Sequence, residues 1–127
     1  TPACLTESVR DVAATIRRGG AVIARVDGVA AASARYEVQD GHLYVSRVAV
    51  LPDYRGCGLA GELMHAMDQI AEALGLEALQ LQTRLNLPRN IRLYEKLGYQ
   101  VIDTWQSESG ADVQVLMEKR LEHLVLA

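Results

Sequence analysis

The spacing of apolar residues changes several times along the chain, and each change marks an element. Val9, Val12, Ala13 and Ile16 recur at the three-and-four spacing of one helix face, with Thr6 placed to cap it and Gly19-Gly20 to end it. This spacing predicts an N-terminal amphipathic helix. Residues 21–26, 29–38 and 43–50 are instead runs of Val, Ile, Ala and Tyr, parted by Asp27-Gly28 and Asp40-Gly41. Asp-Gly between apolar runs signals a tight hairpin, because both turn residues must accept positive φ, so three antiparallel strands are expected. After Pro52 the period is helical again: Leu59, Leu63, Ala66, Met67, Ile70 and Leu74 form one stripe that Gly75 ends. A short strand over 78–82 and a helix starting at Pro88, with Ile91, Tyr94 and Leu97 before Gly98, come next. Two last strands, 99–105 and 112–117, flank the turn-forming Ser107-Glu108-Ser109-Gly110. With no internal repeat and no linker, the pattern predicts one domain over 1–127. Its class is α/β, or more closely α+β: a mixed sheet with helices on its faces, antiparallel strands first and a βαβ-like half after them.

Composition narrows the function. A chain of 127 residues, half of them hydrophobic and 23% charged, is apolar enough to fold around a core. It has no run of 18 apolar residues to cross a bilayer. Thirteen basic and sixteen acidic side chains leave a formal charge of -3, which offers nucleic acid or anionic lipid no broad attraction. Neither a nucleic-acid nor a membrane partner is expected. Cys4 and Cys57 are too few for a disulfide framework, and a reducing cytoplasm is the simpler expectation. His42, His65 and His123 lack ligand spacing, so no metal is expected.

The chemistry concentrates in Arg55-Gly56-Cys57-Gly58-Leu59-Ala60-Gly61, where a strand gives way to the long helix. Glycines let backbone amides approach an anion closely, and the first turn of a helix leaves N–H groups unpaired with a partial positive charge behind them. Together they suit a pyrophosphate, with the Arg55 guanidinium beside it. Gly56, Gly58 and Gly61 also satisfy the dinucleotide pattern Gly-x-Gly-x-x-Gly. Three features speak against a Rossmann domain. Leu51-Pro52-Asp53-Tyr54-Arg55 separates the strand from the first glycine, no acid follows at the ribose-reading position in Leu79-Gln80-Leu81-Gln82-Thr83, and the preceding strands are joined by hairpins. No Lys-Ser or Lys-Thr follows the glycines, which removes the Walker pattern.

With its flanks, the loop resembles the acetyl-CoA motif of the GCN5-related N-acetyltransferase (GNAT) superfamily: Val48-Ala49-Val50, Pro52, then Tyr54-Arg55-Gly56-Cys57-Gly58-Leu59-Ala60 opening a helix. Ile91-Arg92-Leu93-Tyr94-Glu95-Lys96-Leu97-Gly98-Tyr99 is similar to the family's second motif. The resemblance implies the GNAT-like acyl-CoA N-acyltransferase fold and an N-acetyltransferase that moves an acetyl group from acetyl-CoA to a primary amine of a small molecule or peptide. It implies that the amides of Gly56, Cys57, Gly58, Leu59, Ala60 and Gly61 hold the pyrophosphate. The backbone of Val48, Ala49 and Val50 would pair with the pantetheine arm, one N–H facing the thioester oxygen. Tyr94, by spacing alone a core tyrosine, becomes the general acid for the departing thiolate.

The chain also departs from the family pattern. Where many members carry a glutamate, five residues before Ala49, this chain has Tyr44, so the base falls to Glu37, to His42 or to a water held by Ser46. Asn86 and Asn90 are candidates for the pantetheine, Asn86 alternatively as the cap before Pro88. Cys57 reads as a tolerated small residue. The family's first strand and helix are expected to be missing ahead of Thr6, leaving a sheet edge that a second subunit, as in a homodimer, or the tail with Leu121, Leu124 and Leu126 could cover. The alternative reading is an acyl-CoA-binding or structural relative with weak catalysis.

Overall fold

The computed structural model describes residues 10–13 and 17–122. Its frame is a seven-stranded sheet of β1 (Arg10–Ala13), β2 (Gly19–Val26), β3 (Val29–Gln39), β4 (His42–Val50), β5 (Ala78–Arg84), β6 (Gln100–Gln106) and β7 (Val113–Arg120). In space the strands run β1-β2-β3-β4-β5-β7-β6. Every neighbouring pair is antiparallel except β4 and β5, which run parallel. Helices α1 (Leu59–Ala73) and α2 (Pro88–Lys96) follow β4 and β5, with one 3₁₀ turn at Pro52–Tyr54 before the glycine loop.

The hairpins form where the Asp-Gly pairs predict them. Asp27 and Gly28 take φ of 50° and 83°, Asp40 and Gly41 take 47° and 83°, the double positive φ that matches a tight turn to the twist of its strands.

The N-terminal expectation fails. Arg10–Ala13 is a strand, not part of a helix, and pairs antiparallel with β2 so that Val12 faces Ala24. Gly19-Gly20 opens β2 instead of ending a helix. Four residues gain more by completing the ladder of β2 than by one helical turn, whose nucleation is unfavourable. The expected loss of the family's first strand concerns the chain ahead of Thr6, which lies outside the described residues. Thr6, Val9 and Ile16 of the expected helix, with Leu124 and Leu126 of the tail, lie outside the described residues. Leu121 is half-buried against the core.

One continuous core lies between the sheet and the helices. Leu59, Leu63, Met67 and Ile70 of α1 cover Val22, Ala34, Leu43, Val45, Leu79 and Leu81, and Tyr94 of α2 joins the same cluster with Val115 and Met117. Both helices thus share one face of the sheet. The apolar alternation of the central strands, Leu43 and Val45 or Leu79 and Leu81, presents one continuous apolar surface, and each helix buries its stripe there. Among the described residues no helix packs on the other face. There the strands carry Ser33, Arg35, Glu37, Tyr44, Gln80 and Glu118.

Candidate active site

The site begins where β4 and β5 part. Their parallel pairing runs from His42 opposite Ala78 to Val45 opposite Leu81 and stops. On its other side β4 continues against β3, but with an irregularity: Arg35 pairs with Ser46 and Ser33 with Ala49, so Arg47 and Val48 together oppose Ala34. This is a β-bulge, and Arg47 sits in it at φ 53°, in the left-handed region. The extra residue flips the parity of β4. Leu43 and Val45 point to the core before it, while Val48 and Val50 are the half-buried pair after it. The bulge bends β4, and beyond Val45 its β5 side carries no strand partner.

The gap holds a cavity of about 250 Å3 whose lining includes Val45, Ser46, Arg47 and Val48 of β4, Leu81 and Thr83 of β5, and Asn90 and Tyr94 of α2. Residues of both faces of the sheet line it. Asn90 and Tyr94 are one turn apart on α2 and therefore lie on one side of the helix. Tyr94 is 7% exposed and packs edge-on against Tyr99, ring centroids 5.9 Å apart at 64°. Burial raises the pKa of the Tyr94 hydroxyl, which stays protonated through neutral pH. The Tyr99 hydroxyl is buried without a hydrogen-bond partner among the described residues, and its pKa is raised by burial first, then by Asp68 and Tyr94.

Asn86 behaves differently. The N-cap position of α2 is Leu87, with no side-chain cap, and Asn86 Nδ2 lies 3.5 Å from Asp112 Oδ1 instead. Its cap role is thus overturned, because the turn to Pro88 carries the side chain toward the start of β7. It lines a separate surface cavity with Leu85 and Val113, away from the β4–β5 gap.

The glycine loop stands at the start of α1. Gly56 and Gly58 take φ of 78° and 79°, and the first helical bond is Glu62 N–H to Gly58 O at 3.1 Å. Among the described residues the N–H groups of Gly58, Leu59, Ala60 and Gly61 meet no backbone acceptor. A Cβ built on Gly56, Gly58 or Gly61 would meet nothing within 4 Å. Gly61 has neither a positive φ nor a crowding neighbour, so the space beside it is open to a ligand. This donor set fits a diphosphate, and the exposed Arg55 can add its guanidinium. Cys57 is disulfide-bonded and no described cysteine is a free thiol. Cys4 lies outside the described residues. A larger cavity of about 700 Å3 starts at Gly58 and Gly61 and runs along α1 past His65 and Ile70. It meets the glycine loop at one end but contains neither Tyr94 nor the free side of β4.

On the uncovered face a second cavity of about 490 Å3 adjoins the gap, lined by Gly19, Gly20, Ala21, Arg35, Tyr36, Glu37, Ser46 and Arg47. Ser46 and Arg47 line both cavities. Glu37 pairs directly across the ladder with Tyr44, so a carboxylate stands one strand away from the position the family pattern gives it, about 4.5–5.5 Å between Cα atoms. Glu37 also accepts a hydrogen bond from Gln39 Nε2 at 2.6 Å. Desolvation and, after it, the charge of Glu37 raise the pKa of Tyr44. Arg35 and Arg47 were not singled out from the sequence. The shift of apolar positions from Leu43 and Val45 to Val48 and Val50 was the readable sign that Arg47 is an inserted residue.

Among the described residues no helix is long and apolar enough to cross a membrane, and no cluster of His, Cys, Asp and Glu could hold a metal ion. Residues 2–99 match the model of the acetyltransferase (GNAT) family. The fold is similar to that of the ribosomal-protein-S18-alanine N-acetyltransferase from Escherichia coli, at TM-score 0.74 and 24% identity over 85% of this chain and 72% of that one. It is also similar to an IAA acetyltransferase from Bacillus cereus, at TM-score 0.73, 18% identity and coverage of 82% and 79%. A GNAT family acetyltransferase from Elizabethkingia anophelis with acetyl-CoA bound matches at TM-score 0.74, 17% identity and coverage of 82% and 77%.

Proposed function

Because the chain belongs to the acetyltransferase (GNAT) family of acetyl-CoA-dependent acyltransferases, we propose that it transfers acetyl from acetyl-CoA to a primary amine by direct attack within a ternary complex. One observation carries the reading: the unpartnered side of β4 opens onto Tyr94 on one hand and onto the Glu37 cavity on the other.

The free amides of residues 58–61 and Arg55 receive the pyrophosphate. The pantetheine arm then lies along the unpaired side of β4, its amides taking the hydrogen bonds that β5 would have made. A backbone N–H of the bulged segment faces the thioester oxygen, where charge grows in the transition state; a fixed dipole there stabilises the tetrahedral state more than the ground state. The amine nitrogen forms a bond to the acetyl carbon, the carbon–sulfur bond breaks, and the amine's surplus proton leaves toward Glu37. Tyr94 donates a hydrogen bond to the leaving sulfur. A thiol has a pKa of about 8.5 and a tyrosine about 10 before burial, so full proton transfer from Tyr94 is uphill by roughly 2 kcal/mol. Tyr94 therefore assists departure without being indispensable.

The need for Glu37 depends on the acceptor. Neutralising a lysine-like amine at pH 7 costs about 4.6 kcal/mol, an α-amine only about 1 kcal/mol. An acceptor with the low basicity of a peptide α-amine asks little of the base.

Calorimetry with acetyl-CoA, followed by CoA release over a panel of α-amines, lysine-like amines and peptides, tests this reading. Acetyl-CoA binding with turnover on an amine is the expected result. Tight binding without acetylation of any amine would leave a carrier-binding relative, and absence of binding would overturn the site.

A further inference from the structure

Two arginines, Arg35 and Arg47, line the cavity on the uncovered face. Elsewhere on the molecule Arg25 pairs with Asp11 at 3.8 Å, Arg84 with Asp112 at 3.9 Å and Arg120 with Glu77 at 3.7 Å. Arg35 and Arg47 have no carboxylate partner among the described residues, although both line the same cavity as Glu37. Arg35 and Glu37 are two apart on β3 and share a face, roughly 7 Å between Cα atoms, yet form no ion pair. Arg47 is held at φ 53° within a strand, a conformation that is costly for a non-glycine residue and persists where the surroundings impose it. Ser46 and Arg47 line both this cavity and the gap with Tyr94.

From this juxtaposition we infer that the acceptor is an amine carrying a carboxylate on the same small framework, as amino acids do, with the carboxylate held between Arg35 and Arg47 and the amine directed past Ser46. The inference rests on the transferase reading and names the substrate class of that site. Two guanidinium forks match a carboxylate in shape and charge, and the lone Glu37 on the far side suits the amine before its proton is lost. Such a dipole fits a cavity holding one acid and two bases better than a neutral or a purely cationic amine does.

The test compares α-amino acids with their carboxamides as acceptors, followed by CoA release. The carboxamide has the less basic amine, so chemistry alone favours it, and a preference for the carboxylate must come from binding. The expected result is a kcat/KM for the carboxylate form roughly 10- to 100-fold above that for the carboxamide, the worth of one to two charge-assisted hydrogen bonds. In Arg35→Gln and Arg47→Gln this ratio should fall toward one through KM, with Arg35→Lys recovering part of it. Unchanged acetyl-CoA affinity in Arg35→Gln, read by calorimetry, verifies that this variant is folded. Equal use of both forms by the native chain, or a ratio untouched in both Gln variants, would overturn the inference while leaving the transferase intact. If acetyl-CoA binds and neither form nor any other amine is acetylated, the transferase reading falls and this one with it.

Discussion

The two ends of β4 make different use of similar residues. From His42 to Val45 the strand is paired on both sides and sends Leu43 and Val45 into the core, at 0% and 2% exposure. From Ser46 to Val50 it is paired on one side only, bulged at Arg47, and faces two cavities. The first half meets all the demands of its backbone within the sheet. The second half leaves donors and acceptors for a ligand to complete. One strand thus carries both an anchor and the proposed site.

Substitutions at the two ends should separate stability from activity. The largest effect is expected in the anchored half: Leu43→Ala removes a fully buried side chain and should lower unfolding free energy by about 2–5 kcal/mol, read by chemical denaturation. A loss below 1 kcal/mol would mean that this half is not the anchor. Next, Arg55→Ala, which touches neither half, should weaken acetyl-CoA binding roughly 10- to 100-fold, with a shallower salt dependence and little change in denaturation midpoint. Binding at native strength would place the pyrophosphate elsewhere.

At the open half, Tyr94→Phe should lower kcat about 10-fold or somewhat more while the fold persists. The sign of the pH effect follows from burial. As a proposed donor Tyr94 would act when protonated, and burial raises its pKa above the ordinary tyrosine value, so any alkaline limb it contributes, with activity lost as pH rises, is displaced upward from that value and should vanish in the variant. Full turnover in Tyr94→Phe would remove the hydroxyl from the mechanism. The smallest effect is expected far from β4. Arg120→Ala breaks only exposed ion pairs with Glu77 and Glu118 and should shift stability by no more than about 0.5 kcal/mol. A larger shift would show that the β5–β7 side shares the anchoring role.

Much of this arrangement could be read from residue order, because its causes are local. The two Asp-Gly turns, the stripe from Leu59 to Ile70 and the glycines at 56 and 58 each state a backbone preference within a few residues. What was misread has distant causes. The helical spacing of Val9, Val12, Ala13 and Ile16 is real, but β2 offers residues 10–13 a ladder that no local pattern records. Asn86 looks like a cap before Pro88 until Asp112, distant in sequence, comes within reach. The uncovered face was equally hidden: only the folded sheet shows that α1 and α2 share one side and that Arg35, Glu37 and Arg47 meet on the other.

With one cavity in the parting of β4 and β5 and another on the uncovered face beside it, the proposed thioester carrier and amine would enter from opposite sides and neither would block the other's exit. Initial-rate plots should then intersect rather than run parallel, and spent CoA could depart while the acetylated product still occupies its own doorway.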